Sequence, residues 1–146
     1  MLSDRAGFLV AFLGGPLAAL LVGAFNTRAL RRLGQDAWLL ALAFAWSILV
    51  VAVAAHATAT TPSELAATRH VVLFGHELSA AVLRRLVQAS GLLVFLAFFL
   101  RHRRFHRAAA LADAKPARPW IVGLSCLVAG GGLQIVLTMA MIAAFR

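Results

Sequence analysis

Apolar and polar blocks alternate along the chain, leaving four long hydrophobic segments at residues 7–25, 37–57, 78–100 and 120–145. A helix rises ~1.5 Å per residue, so about 20 apolar residues cross the ~30 Å hydrocarbon layer of a bilayer. Three segments reach that length without a formal charge. The other contains Arg84 and Arg85, followed by the uncharged run Leu86 to Leu100. As a helix, that run covers only about 22 Å. The span must therefore extend at least a turn beyond Arg85, which puts both arginines at the edge of the hydrocarbon. The pattern predicts an all-α integral membrane protein, with residues 1–146 forming a single domain of four transmembrane helices in an antiparallel bundle. The N-terminal stretch is read as the first span and not as a signal peptide. Asp4 weakens its positive start, and its apolar run exceeds the usual ~7–15 residues.

Between the second and third spans lies HATATTPSELAATRHVVLFGHEL. Thr61-Pro62-Ser63-Glu64 has the pattern of a helix start, with Thr61 as N-cap, Pro62 in the first turn and Glu64 closing a capping box. This predicts a short interfacial helix over residues 62–74, broken at Gly75.

Charge orients the spans. Arg28, Arg31 and Arg32 follow the first span, and Arg101, Arg103, Arg104, Arg107, Lys115 and Arg118 follow the third. The opposite side holds Arg5, Arg69, Arg84, Arg85 and Arg146. The positive-inside rule then predicts a multi-pass protein of a bacterial-type inner membrane, with both termini outside the cytoplasm. Trp38 and Trp120 fall at the ends predicted to be cytoplasmic, where interfacial aromatics belong. The net charge of +9 does not suggest nucleic-acid binding, because it gathers where hydrophobic segments end. Composition agrees with a bilayer as solvent: 62% of residues are hydrophobic and 13% charged, against about 45–50% and about 25% in soluble domains. A single cysteine, Cys126, excludes an intrachain disulfide and a cysteine-rich metal site.

Small residues indicate how the helices pack, since close backbone approach is what joins helices in lipid. Gly15, Ala19 and Gly23 share one face of the first span, and Gly130 and Gln134, with Cys126 and Thr138, share a face of the fourth. Pro16 predicts a kink.

Candidate chemistry sits in one layer near the outer face. His56, Arg84 and Arg85 lie roughly 13–16 Å from the centres of their spans, with Gln88 and Thr138 just beneath. His76 and Glu77 would lie just above, with Glu77 able to pair with Arg84. Two uses of the arginines stand side by side: snorkelling to headgroups, or turning inward to bind a carbonyl, carboxylate or phosphate, as on a quinone or lipid. Haem b needs two axial imidazoles, and only His56 with His70 or His76 offers a pair. Copper or zinc has ligand types in His56, His70, His76 and Glu77 but no motif spacing. No cofactor is favoured. Arg101, Arg103, Arg104 and Arg107, with His102 and His106, form a basic juxtamembrane face suited to anionic lipid. The run FGHELSAAVLRRLVQASGLLVFLAFFLRHRR, about a fifth of the chain, resembles part of the copper-resistance D-type membrane proteins. The chain departs from that pattern in having no histidine in its first span, and no membership is assigned. The leading expectation is a non-catalytic subunit or oligomer-forming component of a membrane assembly, with other membrane subunits or itself as partner. The alternatives are a quinone-, haem-, metal- or lipid-handling protein with a site near the outer face, and a small oligomeric channel or transporter.

Overall fold

The computed structural model describes residues 4–111 and 119–145. Lys115, Arg118 and Arg146, counted above among the orienting charges, lie outside the described residues. The elements run α1 (Asp4–Ala29), α2 (Ala37–Thr60), α3 (Ser63–Ala67), β1 (His70–Leu73), β2 (His76–Ser79), α4 (Ala80–Leu111) and α5 (Pro119–Phe145). By length and composition, α1, α2, α4 and α5 are each able to cross a membrane, as in a multi-pass membrane protein. Helix is the conformation that satisfies every backbone donor and acceptor within one apolar segment, and hydrocarbon supplies no water to do so.

The core is organised around α1, which touches α2, α4 and α5. It is broken at Gly15, whose φ of 72° and ψ of −163° lie outside the helical region. Pro16 explains the position of the break, because it removes a donor and its ring crowds the carbonyl one turn back. Gly15 then absorbs the change of direction at a φ that a side chain would resist. The helix is clasped from two sides at this level. Gly91 of α4 faces the Ala11 carbonyl and the Gly15 backbone, and a methyl added at Gly91 would lie 2.7 Å from each. Gly130 of α5 faces Ala18, and a methyl there would run into the Ala18 backbone. Two apolar clusters extend these contacts. One joins Ala11 and Ala19 to Leu39, Ala43, Val94 and Phe98. The other joins Val10, Ala18 and Val22 to Val122, Cys126 and Leu127. Of the small residues in the first span, Gly23 lies against the Phe98 ring, Ala19 enters the first cluster and Gly15 faces Gln134.

The connection between α2 and α4 corrects the predicted helix over 62–74. Only Ser63–Ala67 is helical, and β1 and β2 form an antiparallel hairpin in which Leu73 pairs with His76. Two features explain this. Arg69 turns left-handed at φ 59°, and Phe74-Gly75 closes the hairpin with φ of 52° and 81°, the pair of positive values that a type I′ turn requires. Between them, Val71 and Val72 are β-branched and suit a strand. Thr61 does not cap α3, whose N-cap is Pro62 without a side-chain bond. Its hydroxyl donates to the Ala57 carbonyl at 2.6 Å and accepts from the Val72 amide at 2.9 Å, tying the hairpin to the end of α2. At the other end, α4 continues to Leu111, so Arg101, Arg103, Arg104 and Arg107 project from helix and not from a loop.

Adjacent glycines of α5 test the central packing. Gly130→Ala meets backbone, whereas among the described residues nothing lies within 4 Å of a methyl at Gly131. Gly130→Ala should lower stability by roughly 1–3 kcal/mol, the usual range for overpacking. Gly131→Ala should be neutral or slightly stabilising. Thermal unfolding of the two variants in the same detergent checks the contrast.

Candidate functional site

The polar residues near the hairpin do not converge on one another. His56 is exposed, and its ring meets Phe145 edge-on at 5.3 Å between centroids. It lines an open, largely apolar cavity of about 520 Å³ with Thr60, Val72, Phe74 and Phe145. His70 sits on β1 with its Nδ1 3.1 Å from the Thr68 hydroxyl. His76 and Glu77 are exposed on β2, and side chains of successive strand residues point to opposite faces. Arg84 and Arg85 are both exposed, so neither turns into the helix cluster. Glu77 pairs with neither, since every ion pair among the described residues involves Asp36. Gln88 is half-buried, and Thr138 donates to the Gln134 carbonyl of its own helix at 2.7 Å. Among the described residues, no three His, Cys, Asp or Glu side chains are grouped to hold a metal. His56, His70 and His76 are therefore not brought together as a ligand set. In the centre of α5, the Gln134 Oε1 is buried without a hydrogen-bond partner among the described residues, close against the break at Gly15.

The constellation the fold does assemble is at the opposite end. Asp36 immediately precedes α2 and makes no side-chain cap bond there. Its carboxylate is fully buried and is met by side chains from the α1–α2 connection and from α4. The Arg101 Nε donates to Oδ1 at 3.1 Å, while Oδ2 accepts from the Arg32 Nε at 3.3 Å and lies 2.9 Å from the His102 Nε2. Local geometry positions Arg32. Arg31 leaves α1 at φ 54°, and the turn that follows bonds the Asp36 amide to the Arg32 carbonyl at 3.0 Å. Arg101 and His102 arrive from the far end of α4. The imidazole, only 1% exposed, packs beside Phe98. Burial alone would push the Asp36 carboxyl up, but hydrogen bonds from His102, Arg101 and Arg32 outweigh it and hold the group below the ordinary carboxylate range. An ionised Asp36 can only accept, so the His102 Nε2 is the protonated ring nitrogen in this pairing. The contact ties the start of α2 to the end of α4 across the close of α1.

Beside this clamp lies a groove of about 590 Å³ lined by Arg32, Leu100, Arg101, Arg103, Arg104 and Phe105. The Arg32 guanidinium sits 4.8 Å above the Phe105 ring, a cation–π distance. The sequence places Arg101, Arg103 and Arg104 here, but it assigns His102 to an exposed basic face when in fact it is buried. The side chain of His106 lies outside the described residues. Asp36 goes unnoticed in the sequence. The available clue is that it stands four residues after Arg32, at the threshold of an apolar run, with no other acid in that connection. No family model, curated protein or solved structure matches the chain.

An amide at Asp36 would turn a donor toward three donors, so Asp36→Asn should destabilise the fold by roughly 1–3 kcal/mol, the cost of unsatisfied buried groups. The pH dependence has a definite sign. The folded carboxyl titrates below the unfolded one, near 3.9 or so in peptides. Its contribution is therefore complete above that range and is lost as pH falls through the lower folded value. Unfolding temperature in detergent should drop on acidification below about pH 4, and Asp36→Asn should flatten that profile.

Proposed function

We propose that this chain is a non-catalytic component of a membrane assembly, joined to other subunits or to copies of itself through the outer face of α5. The observation that carries this reading is how α5 divides its small residues. Gly130 is spent on α1, whereas the small residues Ser125, Ala129, Gly132 and Ala140, interrupted by Val136, follow three- and four-residue spacing and are all exposed. A methyl at Gly132 would meet nothing within 4 Å. Small residues on a lipid-facing stripe allow a second helix to approach closely, which is how helices associate where no hydrophobic drive separates protein from solvent. The distribution of burial points the same way: half of the apolar window of α1 is buried, against 17% for α2 and 11% for α5.

In this reading the four long helices form an antiparallel bundle in a bacterial-type inner membrane. The arginine-rich Asp36 end faces the cytoplasm and both termini lie outside, as the positive-inside rule favours. The short α3 and the hairpin rest on the outer surface, where the exposed Phe74 at the turn suits the interface between headgroups and hydrocarbon. The cavity beside His56 favours a second reading, in which an apolar ligand with a hydrogen-bonding head, such as a quinone, enters between α2, α5 and the hairpin.

Gly132→Ile separates assembly from folding, because the side chain meets open space in the single chain. Tagged protein extracted mildly from native membranes should migrate as a complex with defined companions or as an oligomer. Gly132→Ile should shift it toward the single-chain size while its unfolding temperature stays close to wild type. Wild-type protein that migrates alone removes the proposal.

A further inference from the structure

We propose that the groove between the α1–α2 connection and the end of α4 is a binding site for a phosphate-bearing anion. Four guanidiniums line it, from Arg32, Arg101, Arg103 and Arg104. Among the described residues the one carboxylate in contact with them is Asp36, which is fully buried and meets these arginines through the Nε atoms of Arg32 and Arg101. A guanidinium has five N–H donors, so each of these two keeps its Nη groups, and these bond no other described residue. Asp36 and the Phe105 ring also restrict the two side chains, which reduces the ordering that a ligand must impose. Arg103 and Arg104 are exposed and have no ion-pair partner among the described residues. Such crowding of like charge is unfavourable while the groove is empty and is relieved by an anion. Guanidinium forks match the geometry of phosphate oxygens better than a single-point cation does.

Leu100 adds an apolar wall that is 53% exposed, at the point where α4 passes from apolar to basic sequence. A phosphate carried on an anionic phospholipid and one carried on a soluble compound share the recognition chemistry, and experiment separates them. The site stands whether or not the chain assembles with others.

The test uses the full chain in detergent and native mass spectrometry with phosphatidylglycerol, with phosphatidylcholine as the comparison. Wild type should retain phosphatidylglycerol in preference. Replacing both Arg103 and Arg104 with Gln leaves the Asp36 clamp intact and should weaken retention by roughly 30-fold, corresponding to about 1 kcal/mol for each arginine. Replacing Arg84 and Arg85 with Gln, which removes equal charge at the hairpin end, should leave retention unchanged. If millimolar inorganic phosphate displaces the lipid, the source is a soluble phosphate compound; if lipid stays bound, it is the headgroup. Equal loss in the two double variants, no loss in either, or no preference over phosphatidylcholine overturns the proposal. Unchanged unfolding temperatures in both double variants exclude misfolding as the cause.

Discussion

The close backbone approach on both sides of the break in α1 is the constraint on which the other contacts depend. In hydrocarbon, an apolar side chain gains little by leaving lipid for protein, so helices are held by dense packing and by polar contacts. Gly15 and Pro16 bend α1, and Gly91 and Gly130 let α4 and α5 reach its backbone on either side of the bend. Both apolar clusters are built outward from these contacts, with Ala11 and Ala19 turned to one side and Val10, Ala18 and Val22 to the other. The Gln134 oxygen is buried against the break without a partner among the described residues. Such an unsatisfied group costs roughly 1–3 kcal/mol.

The Asp36 clamp solves a different problem. The glycine contacts lie near the middle of α1 and leave the register of the start of α2 against α4 to other contacts. A buried carboxylate with three directional donors fixes that register, since breaking one partner leaves another unsatisfied. The same contact organises charge. It draws Arg32 and Arg101 to one place, and the continuation of α4 adds Arg103 and Arg104 to the same groove. Structural fixation and anion attraction thus share residues at one end of the molecule. At the other end, the hairpin is held by Thr61, whose single hydroxyl serves both the last turn of α2 and the amide of Val72.

The four long apolar helices were legible in the sequence because the apolar length that a membrane requires is also the length of a long helix. Length alone places Arg84 and Arg85 near the end of an apolar helix, and both are exposed there. The hairpin was not legible, because it depends on Phe74 adopting a positive φ that its residue type disfavours, with only Gly75 hinting at a turn. The polar residues of the outer layer do not converge for a related reason. Equal depth in a membrane says nothing about which face of each helix a residue occupies. The Asp36 cluster needed the opposite kind of knowledge, the meeting of two segments some 65 residues apart. Gly91 had no partner at four-residue spacing to single it out, yet a methyl there would run into the α1 backbone at Ala11 and Gly15.

A nuclear Overhauser spectrum of the full chain in micelles measures the central contact most directly. Clasping of α1 from both sides gives strong cross-peaks from the Gly130 α-protons to the Ala18 methyl and from the Gly91 α-protons to the backbone of α1 near Ala11 and Gly15. A folded, assigned spectrum with four helices and neither set of cross-peaks contradicts it.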